Sequence, residues 1–316
     1  MQSDGGPDFS QAVANNGYAW WYVDAISDDG HHGLTVIAFI GSVFSPYYAR
    51  ARSRGLGDPA NHCAINVALY GKGGKRWALT ERGRGALTRS NNEFSVGPSR
   101  MFWEGGDLVI DVDEITVPIP SRLRGKIRLS PSATTRRSFQ LSRDGQHYWR
   151  PIAPFSRVHL DFQKPGLSWS GPGYFDWNTG ETPLEDTFSG WDWARASSDN
   201  GTTIFYDGLR RRDGAFSLAT AISKDGTASD IESPPPRAPL PTTSIWRIPR
   251  ETRSDAGVLP RVIETCEDTP FYARSMIETR IGGKAMRAMH ESLSLDRFDK
   301  RWVQTLLHFR MPRIAG

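Results

Sequence analysis

The sequence predicts a mainly β protein built from antiparallel strands, and three observations predict it. Dipeptides of the Asp-Gly, Asn-Gly and Gly-Gly kind recur at 29–30, 144–145, 200–201, 213–214, 225–226 and 282–283. Such dipeptides supply the positive φ angles that tight hairpins need. Runs rich in β-branched and aromatic residues lie around them. Helical periodicity is scarce, because only residues 302–307 space their apolar side chains for one or two helical turns.

The predicted strands are distributed over both halves of the chain. They are expected at 34–44, 64–70, 108–117, 125–129, 202–206, 216–222 and 275–281. Residues 111–113 and 124–129 alternate polar and apolar side chains, as strands with one wet face do. The Pro-rich stretch 232–241 is interpreted as a long loop.

A weak internal repeat indicates two domains. Residues 21–30 and 193–201 each read as a Trp-led strand followed by a polar hairpin turn, and an apolar strand follows each of them. Between them, Pro151, Pro154 and Pro165 interrupt the strand pattern. We therefore predict an N-terminal β domain over residues 1–165 and a C-terminal β domain over residues 166–316.

Bulk composition excludes several classes of protein. The 316 residues have a mean hydropathy of −0.48, and the longest apolar run, 34–44, is shorter than the roughly 20 residues of a membrane span. Residues 1–8 lack the basic and apolar regions of a secretory signal. Two cysteines, Cys63 and Cys266, make no disulfide framework, which fits a reducing cytoplasm. The net charge of +4 comes without a stripe of interleaved aromatic and basic residues, so no nucleic-acid partner is expected.

An acid set among aromatic residues is the strongest chemical signal. Asp176 lies between Tyr174 and Trp177, and a second aromatic cluster holds His147 and Trp149. Apolar surroundings favour the protonated form of a carboxyl group, which can then donate a proton. Ring faces attract a cation by roughly 0.5–2 kcal/mol each. The alternative is that the rings belong to the core and the aspartate to a turn or helix cap.

Other polar residues are weaker candidates. Asp24 follows the aromatic residues Trp20, Trp21 and Tyr22, and it is either a second acid or a structural hydrogen-bonding residue. His290 and Glu291 are adjacent in a predicted strand, so at most one of these two polar side chains can point inward. The adjacent histidines 31 and 32 would point to opposite sides of a strand, so they are poorly placed for one metal, and no metal site is predicted.

Four stretches closely resemble the carotenoid 1,2-hydratases of purple bacteria, also called hydroxyneurosporene synthases. These stretches are residues 17–24 (GYAWWYVD), 44–48 (FSPYY), 268–275 (DTPFYARS) and 290–298 (HESLSLDRF). The resemblance runs from about residue 17 to residue 312. It implies two lipocalin-like antiparallel β-barrel domains in tandem. It also implies a cofactor-independent hydro-lyase that adds water to the terminal C1–C2 double bond of acyclic carotenoids such as neurosporene or lycopene.

The resemblance also implies which residues act. The His-x-Trp pair of the family matches His147 and Trp149, and its Tyr-x-Asp pair matches Tyr174 and Asp176. Asp176 is then expected to protonate C2, while Trp149 and Tyr174 face the cation at C1. Either His147 or the carboxylate that Asp176 becomes is expected to orient the water and take its proton. The substrate is expected to contact further aromatic residues, which are Trp20, Trp21, Tyr22 and Trp177.

The implied partners are the carotenoid, water and a membrane surface. Because the substrate class is insoluble in water, we expect peripheral association with the cytoplasmic side of the inner or intracytoplasmic membrane. Residues 301–310 are either part of the core or a membrane contact. Two other functions stay open at this point: a carrier that returns a carotenoid or lipid unchanged, and a double-lipocalin pericyclase.

Overall fold

The computed structural model describes residues 5–314. Strands account for 55% of the residues and helices for 9%, which confirms the prediction of a mainly β protein. Residues 1–4, which belong to the segment predicted to lack a secretory signal, and residues 315–316 lie outside the described residues.

Within residues 5–314 the structure contains 23 strands, which we number in chain order. They are β1 Tyr18–Ile26, β2 His32–Ile40, β3 Cys63–Gly71, β4 Arg76–Ala78, β5 Glu81–Arg82, β6 Leu87–Arg89, β7 Glu93–Val96, β8 Ser99–Glu104, β9 Asp107–Ile115, β10 Arg122–Pro131, β11 Phe139–Gln140, β12 His147–Lys164, β13 Leu167–Gly180, β14 Phe188–Ser198, β15 Gly201–Arg210, β16 Gly214–Ser223, β17 Ala228–Asp230, β18 Arg237–Leu240, β19 Arg250–Arg253, β20 Arg261–Asp268, β21 Tyr272–Ile281, β22 Lys284–Ser294 and β23 Arg313–Ile314.

The helices of the described residues are short. They are the α-helices α1 Pro46–Arg52, α2 Leu184–Thr187, α3 Leu295–Phe298 and α4 Arg301–Leu307, with 3-10 helices at Pro59–Asn61 and Arg84–Ala86. In this part of the chain, no helix is both long enough and apolar enough to cross a membrane.

The chain divides into two units. Unit 1 comprises residues 1–183 and 305–316, and unit 2 comprises residues 184–304. As far as the structure describes it, unit 1 holds a fourteen-stranded sheet whose main path is β23-β5-β3-β2-β1-β13-β12-β10-β9-β8-β7-β6. In unit 2, a seven-stranded sheet follows the order β17-β16-β15-β14-β22-β21-β20, and β18 pairs with β19.

The predicted turns lie where the hairpins form. Residues 29–30, 200–201, 213–214 and 282–283 lie at the connections of β1–β2, β14–β15, β15–β16 and β21–β22. The two halves of the internal repeat are therefore the β1–β2 hairpin of unit 1 and the β14–β15 hairpin of unit 2. Residues 165–166, where we predicted the domain boundary, form the turn between β12 and β13, and both of these strands belong to unit 1.

Two predicted segments differ from the structure. The strand expected over 34–44 ends at Ile40, because Gly41 has a φ of +64° and Ser45 caps α1 by accepting the backbone N–H groups of Tyr47 and Tyr48. The Pro-rich stretch contains β18, which pairs with β19, so it is not simply a loop. Pro239 fits this strand because β18 is paired on one side only in the two-stranded sheet.

The apolar core of unit 1 lies on one face of its sheet. In β1 the odd-numbered residues Ala19, Trp21, Val23 and Ala25 belong to this core, together with Phe175 of β13. Side chains alternate along a strand, so the even-numbered residues of β1 and β13 point to the opposite face. That opposite face is also buried along most of β1, and it carries polar side chains.

Candidate active site

The two sequence pairs lie on adjacent strands. β12 carries His147 and Trp149, and β13 carries Tyr174 and Asp176. Residues two apart in a strand face the same side of the sheet. The antiparallel register places Trp149 opposite Asn178, so all four predicted side chains share one face.

A third strand completes this face. β1 lies on the other side of β13, with Tyr22 opposite Asp176 and Asp24 opposite Tyr174. We call the surface formed by Tyr22, Asp24, Trp149, Tyr174 and Asp176 the polar face. Each of its five residues is 5% exposed or less, so it excludes bulk water.

Three side chains donate hydrogen bonds to the Asp176 carboxyl group. The Trp149 indole N–H and the Tyr174 hydroxyl both donate to Oδ2 over 2.8 Å, and the Asn178 amide donates to Oδ1 over 3.1 Å. Hydrogen bonds to a carboxylate stabilise its charged form, whereas burial stabilises the neutral acid. The three donors therefore stabilise the negative charge that remains on this carboxyl group once a proton has left.

The Tyr174 hydroxyl is protonated where it donates to Asp176. Burial is the main reason why the pKa of Tyr174 lies well above its ordinary value, and the negative charge of Asp176 raises this pKa further. The hydroxyl therefore keeps its proton near neutral pH. The charge of Asp24 raises the pKa of Tyr174 as well, so both carboxyl groups act on this one hydroxyl.

His147 makes hydrogen bonds through both ring nitrogens. Nδ1 lies 2.9 Å from the Tyr18 hydroxyl, and Nε2 lies 3.1 Å from the Thr182 hydroxyl. Burial lowers the pKa of His147 to about 4, although the charge of Asp144 opposes this, so the ring is neutral near pH 7. Gly180 makes room for it, because a Cβ there would lie 2.5 Å from Nδ1. Both ring nitrogens of His147 are therefore engaged in hydrogen bonds with neighbouring side chains.

Two of the four predicted substrate contacts lie on the same side of the sheet as Asp176. Tyr22 makes an edge contact with Tyr174, with the ring centroids 6.2 Å apart. Trp20 is half-buried and stacks on Tyr18 with a centroid distance of 4.9 Å. These rings extend the aromatic surface of the polar face along β1.

The other two predicted contacts, Trp21 and Trp177, lie on the opposite face. Trp21 packs against Phe9 and Phe94 with centroid distances of 4.9 and 5.5 Å, and Trp177 packs against the same core. Trp177 follows Asp176 directly in β13, and adjacent residues of a strand point to opposite sides of the sheet, so the Trp177 ring does not lie beside the Asp176 carboxyl group. The structure does not bring these two tryptophans together with the four predicted catalytic residues.

Three polar partners in the site were not predicted from the sequence. Asn178 donates to Asp176, while Tyr18 and Thr182 hold the His147 ring. Asn178 follows Asp176 by two residues, so strand alternation was a signal that could have identified it. Tyr18 and Thr182 come close to His147 only through the pairing of the strands and the turn of the chain after β13. The sequence has no signal for these contacts that compares with strand alternation.

Unit 2 contains a half-buried acid, Asp192, near a buried histidine, His290. His290 Nε2 donates to the Glu251 backbone carbonyl over 2.7 Å and lies 3.8 Å from Asp192 Oδ1. Burial raises the pKa of Asp192 to about 7 and lowers that of His290 to about 4. Glu291 instead forms an ion pair with Arg274 over 2.6 Å, so only His290 of the adjacent pair is fully buried.

Metal-binding side chains do not cluster in the part of the chain that the structure describes. Over residues 5–314, no group of three or more His, Cys, Asp and Glu side chains has the geometry to hold a metal ion. Cys63 and Cys266 are both buried, and neither belongs to a disulfide within the described residues.

Solved structures share the fold at low sequence identity. An AttH-type protein from Nitrosomonas europaea matches with a TM-score of 0.58 at 14% identity, covering 91% of this chain and 99% of that one. Kievitone hydratase from Nectria haematococca matches with a TM-score of 0.57 at 12% identity, covering 93% of this chain and 94% of that one. These matches establish a mainly β, lipocalin-like fold.

Sequence relatives are much more similar. The acyclic carotenoid 1,2-hydratase of Thiocapsa roseopersicina is 57% identical over 98% of this chain and 76% of its own length. The protein of the same name from Rubrivivax gelatinosus is 48% identical over 98% of this chain and 77% of its own length. The one from Rhodobacter capsulatus is 43% identical over 89% of this chain and 98% of its own length. The profile of the carotenoid hydratase CrtC family matches residues 36–316. The chain therefore belongs to the carotenoid hydratase CrtC family.

Proposed function

We propose that this chain adds water across the terminal C1–C2 double bond of acyclic carotenoids such as neurosporene and lycopene. The observation that carries the proposal is the buried Asp176 carboxyl group with its donors Trp149, Tyr174 and Asn178. Relatives named acyclic carotenoid 1,2-hydratase, at 43–57% identity, support the reaction and the substrate class.

The first step is proton transfer from Asp176 to C2. An isolated alkene is a poor electrophile, so water cannot add until the π electrons have taken up a proton. The transfer leaves a tertiary cation at C1 and a carboxylate at Asp176. Trp149, Tyr174 and Asn178 then stabilise the new negative charge, and such prearranged donors in a dry site are usually the largest contribution to catalysis.

The second step is capture of the cation. Water attacks C1 and loses one proton, which gives a tertiary alcohol. The rings of Trp149 and Tyr174 lie beside the Asp176 carboxyl group, and ring faces stabilise a nearby cation by roughly 0.5–2 kcal/mol each. Addition of water changes no net oxidation state, so the reaction as written needs no electron acceptor.

His147 has a positioning role in this proposal. It is hydrogen bonded to Tyr18 of β1 and to Thr182 after β13, and it begins β12 two residues before Trp149. The imidazole therefore fixes the start of β12 relative to its neighbouring strands. Displacing it would move the Trp149 indole that donates to Asp176.

We also propose that the protein works as a peripheral protein on the cytoplasmic side of the inner or intracytoplasmic membrane. The apolar patch consists of Leu306 on α4 and Phe309 just after it, which are 40% and 70% exposed. Arg310 follows the patch in the sequence. An exposed aromatic and apolar patch next to a basic residue fits an anionic lipid surface, and the insoluble substrate would be found there.

Solvent labelling tests the proposed reaction. Lycopene is incubated with the protein in ¹⁸O-water and, separately, in D₂O, and the extracted pigments are analysed by mass spectrometry. We expect one ¹⁸O at C1 and one deuterium at C2. Pigment recovered unchanged would favour a carrier, and a rearranged product without solvent atoms would favour a pericyclase. Either result would overturn the proposal.

A further inference from the structure

Asp24 is a second buried carboxyl group on the polar face. It is 0% exposed, and it lies directly opposite Tyr174 of β13 and Thr35 of β2. Directly opposite residues of an antiparallel pair have Cβ atoms about 4.5–5.5 Å apart, and diagonal pairs are the next nearest. Asp24 and Asp176 form such a diagonal pair, because Asp176 follows Tyr174 by two residues on the same strand.

Hydration needs a base as well as an acid. When water attacks C1, one of its protons has to leave, and the described residues offer few acceptors for it. His147 has Tyr18 and Thr182 on its two ring nitrogens, and Asp176 accepts three hydrogen bonds from its neighbours. On the polar face, the other group with the chemistry of a general base is the Asp24 carboxylate.

The surroundings of Asp24 are suited to hold a water molecule. The Thr35 hydroxyl opposite Asp24 is buried and has no hydrogen-bond partner among the described residues. It therefore has hydrogen-bonding capacity left beside the carboxyl group. Tyr174 lies directly opposite Asp24 in the register of β1 and β13, and its hydroxyl donates to Asp176, so one tyrosine adjoins both carboxyl groups.

We propose that Asp24 is the general base of the reaction: its carboxylate takes a proton from the water that attacks C1, while Asp176 protonates C2. This inference rests on the proposed hydratase function. Two buried carboxyl groups close together repel each other when both are charged, which favours one shared proton. Such a pair supplies an acid and a base at the same time.

The proton balance closes through Tyr174. After one turnover Asp24 is protonated and Asp176 is ionised, so a proton has to return from Asp24 to Asp176. The Tyr174 hydroxyl already donates to Asp176 Oδ2 over 2.8 Å. In one coupled step, the hydroxyl passes its own proton to Asp176 and receives the one that Asp24 holds. Tyr174 is then never ionised, and the starting state returns without any other reactant.

The test separates formation of the cation from its capture. The full-length Asp24→Asn variant is incubated with lycopene in D₂O, and deuterium in the recovered lycopene is measured beside the yield of alcohol. We expect hydration to fall by about 10²–10⁴-fold, as for loss of a general base. Deuterium should still enter the recovered alkene, because Asp176 still forms the cation, which then loses a proton instead of capturing water.

Three comparisons decide the outcome. Asp176→Asn should lose deuterium exchange and hydration together, whereas the exposed Asp161→Asn should change neither. Asp24→Asn that hydrates at the wild-type rate would remove Asp24 from the reaction. Equal loss of exchange and hydration in a folded Asp24→Asn would show that Asp24 acts through Asp176 and is not the base. If the wild-type protein incorporates no solvent atoms, the proposed hydratase function itself fails.

A second variant covers the case in which Asp24→Asn does not fold. Asp24→Ala leaves space for a small carboxylate, so formate should restore hydration at least about tenfold if Asp24 is the base. Rescue is measured at constant ionic strength, with Asp161→Ala as the matched control. A folded Asp24→Ala variant that formate does not rescue would overturn the proposal.

Discussion

The Trp149 indole N–H donates to Asp176 Oδ2 over 2.8 Å, although 27 residues separate the two in the chain. Strand register creates this contact, because β12 and β13 pair antiparallel across the turn at residues 165–166. The same oxygen accepts the Tyr174 hydroxyl, so two donors converge on one carboxylate atom. A tryptophan can therefore contribute to the chemistry through its N–H group as well as through its ring.

Trp149→Phe should separate these two contributions. The substitution keeps an aromatic ring and removes the donor to Asp176. A hydrogen bond to a charged group contributes about 1.5–3 kcal/mol, so we expect kcat to fall by about 10–150-fold. Trp177→Phe is the matched control, because its indole nitrogen is buried without a hydrogen-bond partner among the described residues. We expect it to retain kcat within about twofold, and equal losses in the two variants would contradict a specific role of the Trp149 N–H.

Asp176→Asn tests the proton donor directly. The amide has nearly the shape of the acid but cannot deliver a proton to an alkene. We expect kcat with lycopene to fall by at least about 10²–10⁴-fold, while KM changes little. Asp161→Asn, on an exposed position of β12, is the control and should be fully active. An active Asp176→Asn variant would remove Asp176 from the mechanism.

The sequence predicts those parts of the site that depend on strand alternation. His147 with Trp149, and Tyr174 with Asp176, are spaced by two residues, and each pair shares one face of the sheet. The same rule places Trp177 on the opposite face of the sheet from Asp176, although the two residues are adjacent in sequence. Asn178 obeys the rule as well, but an amide among aromatic residues has no compositional signal that would mark it as part of the site.

The register between distant strands is what the sequence cannot supply. Asp24 lies opposite Tyr174 because β1 pairs with β13, about 150 residues later in the chain. Local turn chemistry identifies hairpins but does not order them into a sheet. For the same reason, Pro165-Gly166 reads equally well as a linker and as the turn of the long β12–β13 hairpin.

The apolar patch should govern binding to membranes. Transferring a large apolar side chain from water to an apolar environment contributes about 1.5–3 kcal/mol, so Phe309→Ser should weaken sedimentation with anionic vesicles by about tenfold or more. Ile119→Ser is the control, since Ile119 is 80% exposed and lies outside the patch. Arg310→Gln should weaken binding to anionic vesicles and leave binding to neutral ones unchanged. Equal binding of wild type and Phe309→Ser would exclude the patch as the contact.

Lowering the pH should destabilise the folded protein, partly through protonation of His147 in the unfolded state. Burial lowers its folded-state pKa to about 4, whereas a histidine in the unfolded chain titrates near its ordinary pKa of 6.5. Between these values the unfolded state binds a proton that the folded state does not. The free energy of unfolding therefore decreases as pH falls from about 6.5 towards 4, by about 3 kcal/mol at most from this residue.

His147→Gln removes that proton-binding site, so its free energy of unfolding should depend less on pH than that of the wild type. Urea unfolding at pH 7.0 and pH 4.5 measures the difference. His290, with a pKa of about 4, acts in the same direction, and Asp192, with a pKa of about 7, acts in the opposite one. Both residues remain in the variant, so comparison with the wild type isolates His147.

The exposed His159→Gln variant should keep the wild-type pH dependence. If His147→Gln loses as much stability between pH 7.0 and 4.5 as the wild type does, then the buried neutral imidazole is not a source of the acid sensitivity.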